Sequence, residues 1–175
     1  MMTMNEVLIR ELEQEATTTR RVLERVPGDR LGWKPHDKSM SLGQLALHVA
    51  TIPGGVAQAI QRSPLPVPEF KHPSPSNVSE LVPALETSIA TAKAFLQSAD
   101  DASFAGLWRV VDGDREVLAL PVAAVVRSIM LNHWYHHRGQ LSVYLRQVGV
   151  PVPSIYGPSA DENPFAARHA AAASV

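Results

Sequence analysis

Apolar residues recur at intervals of three and four along several stretches of the chain, which is the pattern of helices that bury one face. The first stretch runs from about Asn5 to Val26 and ends at a Pro-Gly-Asp turn signal. The second begins at Ser41, where Gln44 three residues later completes a capping-box signature, and extends toward Gln61. The pattern therefore predicts two amphipathic helices in the first part of the chain.

Two further helices are predicted beyond a proline-rich connector. The connector spans 63–77 and should run extended and only link its neighbours, because closely spaced prolines favour an extended backbone. The third helix is predicted over 78–97 and the fourth over 121–147, where a proline occupies the first turn and Gly149 follows the end. A connector of this length inside one domain allows the flanking helices to lie parallel.

Between the third and fourth helices the pattern changes, and the runs LWRVV and REVLAL flank an Asp-Gly-Asp sequence. Asp112 and Gly113 are typical of a tight hairpin turn whose two central residues need positive φ. We therefore predict an all-α four-helix bundle with a small β-hairpin between helices three and four. It should form a single domain over 1–165, followed by a disordered tail over 166–175 in which His169 belongs to no site.

Composition and charge exclude several classes of partner. The 175 residues carry a formal net charge of −1, so the chain lacks the basic footprint that binds nucleic acid or an anionic membrane. No stretch approaches the ~18 consecutive apolar residues of a spanning helix, and the expected location is cytoplasmic. Because the chain has no cysteine, any metal must be bound through His, Asp or Glu.

Three of the seven histidines lie in the stretch LNHWYHHRGQL of the fourth predicted helix. Residues at i and i+4 are only ~40° apart on a helix, so His133 and His137 share one face while His136 points along a flank. The neighbouring apolar residues place that face in the interior, where imidazoles need a hydrogen-bond partner or a metal. His48 stands in a comparable inward position on the second helix.

These three inward histidines would present three nitrogens and leave other coordination positions for water or substrate. From the spacing alone, metal binding and ordinary hydrogen bonding stay equally open, because nothing in the sequence shows that the two helices touch. Trp134 stands where the glutamate of an HExxH zinc motif would be, which argues against a zincin-type peptidase. His36 and His72 fall in predicted loops and are expected to be solvated.

The stretches LGQLALHVA, LNHWYHHRGQL and GVPVPSIYGPSADE together resemble the DinB-like, YfiT-like metal-binding helical bundles, and the likeness spans almost the whole chain. The resemblance implies an up-down-down-up four-helix bundle, often a homodimer, in which His48, His133 and His137 bind a divalent metal. Zinc or nickel is the first expectation for this metal, with iron or manganese as alternatives. The resemblance also implies a relation to transferases and isomerases that use low-molecular-weight thiols.

Three further residues are predicted near the metal. Gln140 and Tyr144 follow His137 at one-turn intervals, and we favour Gln140 as a hydrogen-bond partner of a histidine and Tyr144 as a packing residue over direct substrate contact. Tyr156, in the following loop, could equally reach the site over the bundle end or cap the core. Gly139, inside the helix, predicts the close approach of a packed helix or a dimer partner.

Three functions are compatible with these residues. The leading hypothesis is a metalloenzyme with an open three-histidine site, which acts on a small-molecule substrate by lowering the pKa of a bound water or thiol, or by polarising a carbonyl. The alternative is a non-catalytic metal-binding or stress-response module. A weaker alternative is a metal-dependent hydrolase with Asp161 and Glu162 as candidate bases, although solvated tail residues are the favoured interpretation of both.

Overall fold

The computed structural model describes residues 2–165, which are mainly helical with a small sheet. The N-terminal part contains α1 (Met4–Leu23), α2 (Leu42–Gln61), α3 (Leu81–Ser98) and the short α4 (Asp101–Ala105). The C-terminal part contains α5 (Val122–Val125), a π-helical segment (Val126–Asn132) and α6 (His133–Gln147) in direct succession. The strands are β1 (Leu65–Pro66), β2 (Leu107–Asp112) and β3 (Arg115–Pro121).

The long helices pack around one apolar core. Helix α2 packs against α3 and α6, while α1 packs against α3 and also contacts α2 and α6. Leucines from all of them are fully buried between the helices, as the apolar periodicity predicts. The up-down-down-up order of the bundle stays a prediction. Within residues 2–165, no helix combines the length and the apolar character needed to cross a membrane. Central core leucines are Leu12, Leu45, Leu81, Leu96, Leu141 and Leu145.

The start of α2 is fixed by the predicted capping box, which is confirmed. The Ser41 hydroxyl accepts the Gln44 backbone N–H at 3.2 Å, and the Gln44 side-chain carbonyl accepts the Ser41 N–H at 2.9 Å. These bonds satisfy backbone donors that the first helical turn leaves without partners. The capping box therefore sets the residue at which α2 begins, and with it the direction in which His48 faces.

A glycine allows α2 and α3 to pack in close contact, but it is Gly54 and not Gly139. The Gly54 N–H donates to the Ser88 hydroxyl of α3 at 2.8 Å, and a Cβ on Gly54 would lie only 2.8 Å from the Ser88 Cα. Around Gly139, no atom of the described chain lies within 4 Å of such a Cβ, apart from the local helix backbone. No packed helix within residues 2–165 therefore approaches Gly139, and the alternative of a dimer partner stays a prediction.

The sequence pattern predicted one regular α-helix for the C-terminal helical run, but this prediction is wrong. The Val126–Asn132 segment of the run is π-helical. A π-helix bonds i to i+5 and holds more residues per turn, so the buried positions advance in four-residue steps. The core stripe therefore passes beside His133 and His137, which are half-buried instead of lying on the buried face. The buried stripe consists of Val126, Met130, Trp134, Arg138, Leu141 and Leu145.

The small sheet is more extensive than the predicted hairpin. Strands β2 and β3 pair antiparallel, and Asp112 pairs with Arg115 across a two-residue turn. The central residues are Gly113 and Asp114, not the predicted Asp112 and Gly113, and only Gly113 has positive φ, at 59°. Only the first central position of this turn needs positive φ, the pattern of a type II′ turn, so glycine alone provides it.

The connector is also more than a link. Its strand β1 pairs in parallel with β2, and the Val67 N–H donates to the Val111 carbonyl at 3.0 Å. The sequence did not predict this third strand, because β1 has only two residues and contains a proline. The connector is thereby held against the hairpin, beside α2.

Candidate metal centre

His48 of α2 meets His133 and His137 of α6, and one ring nitrogen of each lies within 4.8 Å of the others. The ring of His48 is centred 5.3 Å from that of His133 and 4.7 Å from that of His137. The Nε2 atoms of His133 and His137 face each other at 2.8 Å. The contact between the two helices, which the sequence left open, is therefore present, and the cluster is compatible with a divalent metal ion.

The donor set fits such an ion. Zinc binds imidazole nitrogens at ~2.0–2.1 Å, so two nitrogens in a tetrahedral site lie roughly 3.3 Å apart, within the spread of this cluster. The nitrogen of His133 that faces the cluster is Nε2, whereas its buried Nδ1 lies on the other side of the ring. The Nε2 atom is therefore the one that would bind the ion. Imidazole nitrogens suit several transition metals, among them zinc, copper, iron and nickel.

Burial favours the neutral form of all three rings, which is the form that binds metals. Burial lowers the pKa of His48 to about 4, and the neighbouring His137 and His133 act in the same direction. Burial also lowers the pKa of His137 to about 4, against the opposing hydrogen bond with Gln140. The pKa of His133 is likewise lowered by burial, with the Ile129 backbone acting in the opposite direction.

Gln140 is placed where it can orient one of the rings. Its side-chain carbonyl lies 2.7 Å from the Nδ1 of His137, and a carbonyl oxygen can only accept a hydrogen bond. The Nδ1 atom of His137 must then carry the proton, which leaves the Nε2 lone pair facing the other histidines. This is the arrangement by which an outer residue fixes the tautomer of a metal-binding histidine.

A proline in α2 explains how the two histidine-bearing helices are joined. Pro53 has no N–H, so the carbonyl of Val49 loses its usual helical donor. The indole N–H of Trp134 donates to this carbonyl at 2.8 Å, and both groups are buried. Because Val49 follows His48 and Trp134 follows His133, this hydrogen bond sets the two imidazoles side by side.

We expect Trp134→Phe to lower both stability and metal affinity. Phenylalanine retains an aromatic ring but leaves the buried Val49 carbonyl without a donor, which should cost ~1–3 kcal/mol of unfolding free energy. Chemical denaturation and zinc titration measure the two effects. The control is Trp108→Phe, which removes the 3.0 Å bond from the hairpin to the Ala59 carbonyl and should leave zinc affinity unchanged. Equal zinc affinities in the two variants would contradict the alignment role of Trp134.

Of the other predicted site residues, Tyr144 lies near the cluster and Tyr156 lies elsewhere. Tyr144 borders a cavity together with His137 and Gln140, and its ring contacts Trp33 edge-on at 5.5 Å. The Tyr156 hydroxyl instead accepts a hydrogen bond from Arg138 at 2.6 Å, and Tyr156 borders neither of the cavities that reach the histidines. In the described chain, its hydroxyl bonds to the buried pair of Arg138 and Glu15.

The two carboxylates considered as bases hold the C-terminal segment in place. Asp161 pairs with Arg146, and Glu162 pairs with Arg21, while each also accepts a backbone N–H from the preceding segment. The hydrogen bond from Arg146 lowers the pKa of Asp161, and the backbone N–H lowers that of Glu162. Neither belongs to the histidine cluster. They are structural ion pairs, neither simply solvated nor placed to act as bases there.

A buried ion pair lies beside the centre, and the sequence pattern did not predict it. Arg138 follows His137 and is fully buried, where it pairs with the buried Glu15 of α1. Arg138 also donates to the Thr19 hydroxyl at 3.1 Å, and its guanidinium lies over the ring of Tyr156 at 5.1 Å. The sequence did contain an indication of this pair. Glu15 and Arg138 are charged residues at positions where the apolar periodicity of their helices would place a buried side chain.

His72 is a second residue near the cluster that the sequence did not indicate, because a histidine in a predicted loop gives no reason to expect it there. Its side chain is exposed, as predicted, but its ring is centred 5.6 Å from that of His48. The side-chain amide of Gln44 donates to the His72 carbonyl at 2.8 Å, which holds this part of the connector against α2. The connector therefore brings a fourth imidazole to the edge of the site.

Two cavities of different character reach the histidine cluster. A polar cavity of about 480 Å³ is bordered by His137 and Gln140, together with Lys34 and Lys38. A cavity of about 520 Å³ with mainly apolar walls is bordered by His48 and His133. Cavities therefore reach the cluster from two directions.

Comparison with known proteins gives a consistent result. The DinB family model matches residues 1–166. A crystal structure of a DinB-like protein from Bacillus cereus ATCC 10987 superposes with a TM-score of 0.66 and 21% identity, covering 86% of this chain and 97% of that one. The DinB-like protein YjoA from Bacillus subtilis gives a TM-score of 0.61 and 20% identity, covering 83% and 95%.

Among curated sequences, the uncharacterized protein YrdA of Bacillus subtilis (strain 168) is 52% identical over 33 residues. That match covers 19% of this chain and 20% of YrdA, so the chain matches about a fifth of the length of that relative. At 20–21% identity, the similarity to the two solved structures shows the fold alone.

Proposed function

Because this chain belongs to the DinB family, we propose that it is a metalloenzyme whose His48, His133 and His137 bind one divalent ion, zinc or nickel, and whose cosubstrate is a low-molecular-weight thiol. The observation that carries the proposal is the cluster of three imidazoles between two open cavities. When bound, the ion would lower the pKa of a coordinated thiol or water.

The residues of the polar cavity support a small polar cosubstrate. Lys34 and Lys38 supply positive charge, which Asp37 offsets in part, and Gln44 and Gln140 supply amide groups along the cavity that His137 borders. Such groups suit the carboxylates and amides of a small peptide-like thiol. Since the chain contains no cysteine, a sulfur ligand has to come from outside the protein.

The chain's own residues have defined tasks in this proposal. Gln140 holds the proton of His137 on Nδ1, so that Nε2 faces the cluster. The hydrogen bond between Trp134 and Val49 fixes the separation of the two helices. The half-buried position of the three rings excludes part of the bulk water, yet leaves both cavities open to ligands.

The test uses cobalt(II)-reconstituted protein, because a cobalt–thiolate bond gives a characteristic charge-transfer absorption. We expect L-cysteine to produce this absorption and L-serine, which has oxygen in place of sulfur, to leave the spectrum without it. The His48→Ala variant should show neither cobalt binding nor the absorption. Cobalt binding without any thiolate band at saturating cysteine would exclude the thiol, and absence of cobalt binding would exclude the metal centre. A stabilised but inert holo-protein would favour the non-catalytic module.

A further inference from the structure

The cavity bordered by His48 and His133 is formed by three separate parts of the fold. Helix α2 forms one wall, and the connector and hairpin together form a second wall. The π-helical segment forms the third wall. The pairing of β1 with β2 and the bond from Val67 to the Val111 carbonyl hold the connector wall in place. Apolar side chains that face the cavity include Ile52, Val56, Phe70, Trp108, Leu118 and Ile129.

The walls offer almost no free hydrogen-bonding side chains away from the histidines. Among the described lining residues, Thr51 and Trp108 are the remaining side chains with donors. The Thr51 hydroxyl already donates to the Leu47 carbonyl at 2.9 Å, and the Trp108 indole donates to the Ala59 carbonyl at 3.0 Å. A ligand group in this cavity must therefore be apolar, whereas its polar end must lie at the imidazoles.

Exposed apolar residues are concentrated at the opening of the same cavity. Phe70 is 82% exposed and Val67 is 53% exposed on the connector, while Val117 and Leu118 are more than 40% exposed on β3. A contiguous exposed apolar surface of this kind marks a binding site more often than an ordinary surface. The volume of about 520 Å³ lies within the range of small-molecule pockets, which favours a small ligand over a flat protein partner.

From these observations we propose that this cavity binds an aryl or alkyl group of the substrate, and that the reacting polar end of the same molecule lies at His48 and His133. The substrate class is thus an amphipathic small molecule with a compact apolar group. This inference rests on the proposed metal centre for the placement of the polar end, whereas the apolar cavity stands on its own geometry. The thiol cosubstrate would then enter through the polar cavity, from the side of His137.

The test compares two series of straight-chain ligands by isothermal titration calorimetry on zinc-loaded and zinc-free protein. Alkyl hydroxamic acids carry a metal-binding head, and alkyl alcohols of the same lengths do not. For both series we expect the dissociation constant to fall about fourfold with each added methylene until the cavity is filled. The hydroxamic acids should bind tighter than the alcohols on zinc-loaded protein only.

Two variants locate the apolar end. Phe70→Ala removes an exposed wall residue without disturbing the core, and should weaken the longest hydroxamic acid roughly tenfold while leaving the shortest unchanged. Phe165→Ala, at a residue that is 50% exposed and borders no part of this cavity, is the matched control. Val56→Phe, which adds volume at a half-buried lining position, should shorten the longest chain that still gains affinity.

The outcomes separate this inference from the proposed function. If hydroxamic acids bind only in the presence of zinc and their affinity does not rise with chain length, the apolar site is excluded. The metal centre would still be supported. Hydroxamic acids that bind zinc-loaded protein no tighter than alcohols of the same length would overturn the metal centre and with it the placement of the polar end. Equal behaviour of Phe70→Ala and Phe165→Ala would overturn the assignment to this cavity.

Discussion

Replacing His137 with alanine should abolish stoichiometric metal binding, whereas replacing its neighbour His136 should leave the metal content unchanged. His137 is the residue of the cluster closest to both other rings, with ring centres at 4.5 Å from His133 and 4.7 Å from His48. His136 is exposed and does not belong to the cluster. The two variants remove the same side chain from adjacent positions of one helix, so they share any general effect on α6.

The expected magnitude follows from the number of ligands. Loss of an outer-sphere partner of a metal-binding histidine costs ~10–100-fold in affinity, and loss of a ligand should cost more than that. Gln140→Ala should therefore weaken zinc binding by about tenfold, and His137→Ala by more than about 100-fold. Zinc titration against a competing chelator measures the affinities, and elemental analysis of purified protein gives the metal per chain.

Circular dichroism of the same samples should show that His137→Ala retains the helical content of the wild type. Similar metal contents in His137→Ala and His136→Ala would argue that the three rings are not the ligands. They would then be partly buried histidines that satisfy one another by hydrogen bonds, the other interpretation that the spacing leaves open. In that case the thiol proposal would lose its basis as well.

The largest loss of stability is expected for Glu15→Ala. Arg138 is fully buried, and Glu15 is its only charged partner among the described residues. Without Glu15, a guanidinium would stay in the core with its charge uncompensated, which typically costs 3–5 kcal/mol of unfolding free energy. Helix α1, α6 and the segment containing Tyr156 all meet at this pair. The loss should therefore loosen the contact of α1 with α6.

The matched control lies on the same helix. Glu13 forms an ion pair with Lys93 of α3, and both side chains are at least 40% exposed. Exposed pairs contribute ~0–1 kcal/mol, so Glu13→Ala should lower the unfolding free energy by less than about 1 kcal/mol in urea denaturation. The double variant Glu15→Leu with Arg138→Met should recover much of the stability, because paired apolar residues replace the buried charges. Equal losses in Glu15→Ala and Glu13→Ala would contradict this view of the core.

Local patterns predicted much of the secondary structure because they are properties of neighbouring residues. The capping box at Ser41 was correct because its two hydrogen bonds join residues only three positions apart. The four-residue spacing of His133 and His137 likewise places two imidazoles on one helical face. The turn was located to within one residue, but its strand pairing moved its centre to Gly113 and Asp114.

The predicted burial of His133 and His137 was too high, because the last helical run is not a regular α-helix. A regular α-helix has 3.6 residues per turn, but the π-helical segment changes the phase of the buried positions before His133. Trp134 and Arg138 therefore occupy the core stripe, and the two histidines lie beside it. Apolar periodicity by itself does not reveal such a segment, because it assumes a constant number of residues per turn.

The sequence by itself determined the amphipathic helices, the start of α2, the tight turn and the pair of histidines on one face, since short-range hydrogen bonds and local periodicity fix these features. Only the tertiary structure decided that His48 lies against that pair, because Pro53 frees the Val49 carbonyl for the distant Trp134. It also decided that Arg138 and Glu15 pair in the core and that the connector forms a cavity wall. These contacts join residues far apart in the chain, and they depend on the packing of whole helices.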